Sequence, residues 1–305
     1  MTRVLILFTT GSVAAGQADP AHLKSLLEAA GDVQVETAAY DDLSYVLSNA
    51  AQSITVHSTK RSLDDYDIVY LRRIKESTAQ AIAVGKYCQA KGIAVIDREI
   101  ANRPGSMGKL TQYMQFALAG VSFPSTIYAS SHTLLRRQFD VRPFQFPVIL
   151  KSVSGSRGDD NYLIETVEEL DATLAANSNV HFLIQAYVPN TADYRVWVCG
   201  KKIGPIVYRS RQSGHKNNTS QGGRAELVVD VLSVDVLDEC VRAAELLERD
   251  VAGVDVVFEN DDLNGKFYFF EVNRAPQIEN TPFEDEKAKA LVDFMVKIGS
   301  DRPHA

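Results

Sequence analysis

Asp255, Glu271 and Asn273 lie on two strand-like runs that read as one hairpin. Residues 253–259 (GVDVVFE) and 265–273 (GKFYFFEVN) have strand composition, and the polar stretch 260–265 (NDDLNG) is turn chemistry between them. In a hairpin symmetric about Leu263, Asp255 stands directly opposite Glu271, and Asn273 joins that face two residues further on. Like charges opposed across a ladder repel, so the pair calls for a hard cation. Carboxylates plus an amide suit Mg²⁺ (or Mn²⁺) held together with the phosphates of a substrate. The plain alternative is a solvated hairpin face.

Other groups upstream have phosphate chemistry. The stretch 152–158 (SVSGSRG) lies between two strand-like runs and not between a strand and a helix, so it is neither a P-loop nor a dinucleotide fingerprint. Backbone N–H groups of such a loop still fold over phosphate oxygens, with Arg157 adding charge; an ordinary surface turn is the rival reading. Lys151 ends an apolar strand and Lys109 opens a helix, positions that suit a phosphate contact, with plain solvation as the rival reading for each. Residues 185–188 (QAYV) end a buried run beside Pro189, where a hinge would offer backbone groups to a purine edge. Asp193, Arg195, Arg209, Asn218 and Arg224 then form a guanidinium- and amide-rich stretch, and arginine suits bidentate carboxylate or phosphate binding.

In this order, lysine, glycine loop, hinge, arginines, asparagine and acidic hairpin, the chain from about residue 102 onward resembles the ATP-grasp superfamily. Within it the similarity is to the RimK-like and glutathione-synthetase-like carboxylate–amine ligases. The resemblance rests on 146–151 (FPVILK), 155–158 (GSRG), 185–188 (QAYV), 193–195 (DYR), Arg209, Asn218 with Gly222 and Gly223, 253–255 (GVD) and 271–276 (EVNRAP). It implies an ATP-dependent ligase that forms an amide or peptide bond through an acyl phosphate, releasing ADP and phosphate. Its partners would be ATP, a carboxylate substrate and an amine acceptor: an amino acid, a peptide or a protein tail. By the same resemblance, Lys109 and Lys151 contact ATP phosphates, as do Ser154, Gly155, Ser156, Arg157 and Gly158 in the loop. Gln185, Ala186, Tyr187 and Val188 hold adenine, with Asp193 on the nucleotide side. Asp255, Glu271 and Asn273 bind Mg²⁺, while Arg195, Arg209 and Asn218 serve the γ-phosphoryl and acyl-phosphate region as catalytic residues. Arg73 matches a strand-end arginine of RimK-like enzymes, implying substrate contact. Two departures bear on the chemistry: Asp159 and Asp160 follow the loop where relatives often continue with Lys-Gly, and 215–221 (HKNNTSQ) is less basic than its counterpart. An ATP-grasp phosphotransferase and a non-catalytic nucleotide-binding regulator are the alternative functions.

The elements that must position these residues read as α/β with α+β lobes. Residues 1–101 alternate strands (4–8, 68–71, 93–97) with helices (from the cap Asp19 and Pro20 to Gly31, and 79–91 ended by Gly92), which implies a parallel sheet and a pre-ATP-grasp domain. Residues 102–188 read as a small central lobe with a helix closed by Gly120, strands at 146–151, 161–165 and 180–188, and a capping box 166–169 (TVEE). Residues 189–305 read as the metal-bearing lobe, with strands at 194–199 and 203–209 and helices at 234–248 and 286–298. A net charge of -7 argues against a nucleic-acid or anionic-membrane binder. Three scattered cysteines, Cys88, Cys199 and Cys240, fit a reducing cytoplasm, and the apolar run 4–8 is too short for a secretion signal. A homo-oligomer is compatible with this composition.

Overall fold

A computed structural model describes residues 1–103, 108–142, 144–153, 161–210 and 224–300. The apolar run 4–8 lies in β1 (Thr2–Phe8), the second strand of a four-stranded parallel sheet in the order β2 (Val33–Ala39), β1, β6 (Ile68–Leu71), β7 (Ala94–Ile96). Both faces of β1 are covered, which is why it reads as unbroken hydrophobicity. Helix α2 (Pro20–Ala30) starts at Asp19, whose side chain accepts from the His22 amide, and α3 (Thr78–Lys91) stops at Gly92, which takes φ +66. Short helices α1 (Thr10–Ala14) and α4 (Arg98–Asn102) follow β1 and β7. A second, antiparallel sheet of β3 (Leu43–Leu47), β4 (Gln52–Val56) and β5 (Arg61–Ser62) was not expected from the sequence. Its strands are short and half exposed, so no strong alternation marks them.

The central sheet is antiparallel in the order β10 (Asn161–Ile164), β9 (Val148–Ser152), β11 (Phe182–Ala186), β8 (Thr126–Tyr128). Helices α6 (His132–Asp140) and α7 (Val167–Ala176) cover it, and Leu135, Leu150, Leu170 and Phe182 form its own core. The run 180–188 thus yields a strand of five residues, not nine. The capping box is half formed: Thr166 accepts from the Glu169 amide, but Glu169 reaches back to the amide of Glu165 instead of Thr166.

The third sheet runs β14 (Arg224–Val228), β13 (Lys202–Ser210), β12 (Ala192–Cys199), β15 (Val251–Phe258), β16 (Phe267–Arg274), all antiparallel. Helix α8 (Val234–Leu246) and α5 (Lys109–Ala119) pack on one side, where Tyr113 and Phe116 share a core with Val254 and Phe269. The last helix, α9 (Glu284–Ser300), lies on the other side and also against the first sheet, so Leu291 and Met295 join Val4, Ile6, Trp197 and Val251 in one core. Each such burial contributes roughly 1.5–3 kcal/mol. The fit is close: a Cβ at Gly31 would stand 2.7 Å from Val292. The first and third sheets are thereby joined, while the central sheet keeps a separate core. Among the described residues no helix is long and apolar enough to cross a membrane.

Candidate active site

Strand pairing sets the geometry of the site. In the β15–β16 hairpin Asp255 pairs with Glu271 and Gly253 with Asn273, as the symmetry of the sequence predicts. The register then shifts, so that Val256 pairs with Phe269 and Phe270 is left over as a bulge. A bulge re-aims the side chains beside it. On the other side of β15, Arg195 of β12 pairs with Asp255 and forks onto it, Nε to Oδ1 and Nη2 to Oδ2, both at 2.7 Å. Arg209 of β13 bridges two acids, donating from Nε to Asp193 at 2.6 Å and placing Nη2 3.0 Å from Asp255 Oδ1. All three of Asp193, Arg209 and Asp255 are buried. Burial pushes the Asp255 carboxyl up, but the guanidinium groups of Arg195 and Arg209 outweigh it and hold it below the ordinary carboxylate range. For Asp193 burial wins over Arg209 and the carboxyl is raised. Asn273 Nδ2 donates to Asp255 Oδ2 at 3.2 Å, which turns its amide oxygen the other way.

The lysines face this cluster from two elements. Lys109 is the first residue of α5; burial lowers its pKa, Glu271 opposes that, and Lys151 adds to the lowering, so the three groups share one field. Lys151, on β9, donates to Gln185 Oε1 at 3.1 Å and lies 5.2 Å over the ring of the bulged Phe270. That contact spans the central and third sheets. Gln185 is itself buried and fixed through Thr126, to which it donates at 3.0 Å. Beyond β11, the connection to β12 is pinned where Asn260 donates to the Pro189 carbonyl at 2.6 Å. Ala186, Tyr187 and Val188 therefore stand at the junction of the two sheets. Ser154, Gly155, Ser156, Arg157, Gly158 and Asn218 lie outside the described residues.

Residues 108–294 match the RimK-like ATP-grasp domain. The chain belongs to the RimK-like ATP-grasp family. Over 288 residues it is 26% identical to a probable alpha-L-glutamate ligase of Hydrogenovibrio crunogenus, with 92% of each chain covered. A protein of the same name from Mannheimia succiniciproducens is 29% identical over 226 residues, 71% of each chain. The ATP-grasp ligase PsnB, complexed with a phosphomimetic variant of minimal precursor, Mg and ADP, superposes with a TM-score of 0.71 at 17% identity, covering 98% of this chain and 99% of that one. D-alanine–D-alanine ligase from Bacillus anthracis complexed with ATP gives 0.62 at 14% identity over 99% and 98%. At these identities the structures establish the fold. The protein is an ATP-binding ATP-grasp ligase, an enzyme of the C–N bond-forming class.

The donor set of the ligase fits a hard divalent cation. Two carboxylates are paired across the hairpin, and a turn of the Asn273 side chain would bring its amide oxygen to them; among the described residues no group of three or more His, Cys, Asp and Glu competes as a metal site. So small a protein set leaves coordination positions for phosphate and water.

Arg73 stands at the end of β6 with φ +48, and its guanidinium donates to the Gln17 carbonyl at 2.8 Å and lies 3.5 Å from Gln277 Oε1. Its neighbour Arg72 is fully buried on Glu279, and both side chains reach the segment after β16. Phe270 was missed because its role depends on a bulge, and Lys287 because nothing local marks it. Lys287 packs over Trp197 at 5.7 Å, donates to Thr281 Oγ1 at 2.9 Å, and is pushed by burial down to about 8.

Proposed function

We propose that the ligase joins a carboxylate to an amine through an acyl phosphate, with Asp255, Glu271 and Asn273 as the metal-binding set and Lys109 and Lys151 on the phosphates of ATP. The observation that carries this reading is the cross-strand pairing of Asp255 with Glu271, facing two lysines drawn from different elements, α5 and β9. A bound Mg²⁺ would neutralise phosphate charge and polarise the transferring group. The chain itself needs no nucleophile. A substrate carboxylate oxygen attacks the γ-phosphorus, the bond to the β,γ-bridging oxygen breaks, and ADP leaves. An amine nitrogen then attacks the acyl carbon, the C–O bond to phosphate breaks, and the amine proton is lost. Arg195 and Arg209 are fixed by their acids before substrate arrives, so they meet developing negative charge without reorganising. Gln185 to Val188 bracket adenine, and Arg73 takes a substrate carboxylate, a reading supported by its position outside the carboxyl end of a parallel strand.

The relatives named alpha-L-glutamate ligase make glutamate the first amine to try, and the neighbour complexed with precursor peptide makes a peptide the first acyl donor. The test incubates the protein with ATP, Mg²⁺ and pools of amino acids and peptides. Release of free phosphate with a product heavier by one condensed residue supports ligation. A stable phosphorylated product would instead make the protein a phosphotransferase.

A further inference from the structure

Strand β16 carries two of the proposed metal ligands, yet it is the edge of its sheet. An edge strand leaves alternate backbone groups without ladder partners and is free to shift. Here those groups are taken up one by one from α5 and its surroundings. Ser122 accepts from the Phe269 amide at 2.9 Å and donates to the Phe267 carbonyl at 2.7 Å; the Tyr113 hydroxyl donates to the Phe270 carbonyl at 2.8 Å. At Val272, between Glu271 and Asn273, the grip is made by buried charge. The Val272 amide donates to Gln112 Oε1 at 3.3 Å, and its carbonyl accepts from Arg249 Nη1. Arg249 Nη1 also donates to Gln112 Oε1 at 2.9 Å, closing a small ring, and the rest of the guanidinium is forked by Glu99 at 3.0 and 3.2 Å. Glu99 is fully buried, Gln112 is 2% exposed and Arg249 is 5% exposed.

We infer that Gln112, held by Arg249 and Glu99, is a positioning residue for the metal ligands: together with Arg249 it fixes the two peptide units that flank Val272 and carry Glu271 and Asn273 on either side, and it does so from the helix whose first residue is Lys109. The inference rests on the proposed metal set. A buried arginine and carboxylate contribute little net stability against apolar replacements, so holding geometry is the stronger reason for burying them at this spot. Because Gln112 lies one turn after Lys109 on α5, a single contact sets the phosphate-binding lysine and the metal ligands at a fixed separation. Partners that orient ligands in this way are worth about 10–100-fold in metal affinity.

The test titrates Mn²⁺ into the full-length protein with saturating ADP, reading free Mn²⁺ by its paramagnetic resonance signal and melting temperature in parallel. Gln112→Leu removes the acceptor, whereas Gln112→Glu keeps an oxygen at the same place. The expected result is a loss of about tenfold or more in Mn²⁺ affinity for Gln112→Leu, near-normal affinity for Gln112→Glu, and melting temperatures of the two within about 5 °C of each other. Glu271→Ala is the control. If it abolishes Mn²⁺ binding while Gln112→Leu binds as the parent does, the positioning role is overturned and the metal set stands. If Glu271→Ala binds Mn²⁺ normally, the metal set itself fails and the inference with it. Should Gln112→Leu not fold, Arg249→Lys, which cannot fork onto Glu99 while reaching Val272, must show the same selective loss.

Discussion

Asp255 is asked to do two things at once, and its surroundings show how. Four donors converge on it: two from Arg195, one from Arg209 and one from Asn273. A carboxylate offers about four lone-pair sites, so a cation joining Glu271 and Asp255 must take over one of these contacts. Arg195 and Arg209 keep the carboxylate ionised in readiness. Asp255→Asn and Glu271→Ala should therefore each lower turnover by at least about tenfold, since the metal acts on charge formed in the transition state, where each 1.4 kcal/mol is a factor of ten. Circular dichroism should show both variants folded; near-normal rates in both would remove the metal assignment. Lys151 is pre-aimed by Gln185 and Phe270, so Lys151→Ala should weaken ATP binding in calorimetric titration more than it lowers the melting temperature. At this scale the hairpin face was legible, because strand alternation fixes which side chains share it. The commitment of Arg195 and Arg209 to Asp255 was not. It depends on the order β13-β12-β15, which no local pattern contains.

Between elements, the end of β6 is tied to the segment following β16 by two adjacent arginines with opposite demands. Arg72 and Glu279 are both fully buried; Nη2 lies 3.4 Å from Glu279 Oε2, and Arg72 Nε, Nη1 and Glu279 Oε1 have no hydrogen-bond partner among the described residues, although the guanidinium lies over the rings of Phe8 and Tyr70. A buried pair so poorly satisfied is costly to break and cheap to replace. Arg72→Ala should lose about 3–5 kcal/mol in urea denaturation, whereas Arg72→Met combined with Glu279→Leu should be close to neutral or more stable. A double variant as unstable as the single one would contradict this. Arg73 is half-buried and should behave differently: Arg73→Ala should keep its stability and raise KM for the acyl or amine substrate while leaving that for ATP unchanged. Elements with a strong period or a strong stop were readable from sequence, as Asp19 with Pro20, Gly92 and Gly120 show. Strands β3 to β5 were not, because short half-exposed strands carry little pattern.

Across the whole molecule, the joint between the first and third sheets is partly polar, and one acid in it is out of balance. Asp97, just after β7, accepts from the Val251 amide at 2.9 Å through Oδ1, while Oδ2 is buried with no partner among the described residues. Nearby Asp250 is held by Arg98 at 2.7 and 2.8 Å, and Glu99 and Arg274 complete the charged surroundings. Burial, then the charge of Asp250, raises Asp97 to about 7, against the smaller opposing pull of the Val251 amide and Arg274. The unfolded chain gives up this proton near pH 4, so between about 4 and 7 the folded state holds more protons than the unfolded state. Its contribution to stability therefore declines as pH rises through that window, is absent as a penalty below about 4, and is at its worst above about 7. Asn at this position keeps an oxygen acceptor for Val251 and cannot ionise. The melting temperature of Asp97→Asn should accordingly match the parent near pH 4.5 and exceed it by roughly 5 °C at pH 8. Taking the difference between the two proteins cancels every other titrating group. Parallel melting curves across that range would mean that Asp97 is ionised in the fold, with its charge met by Arg274.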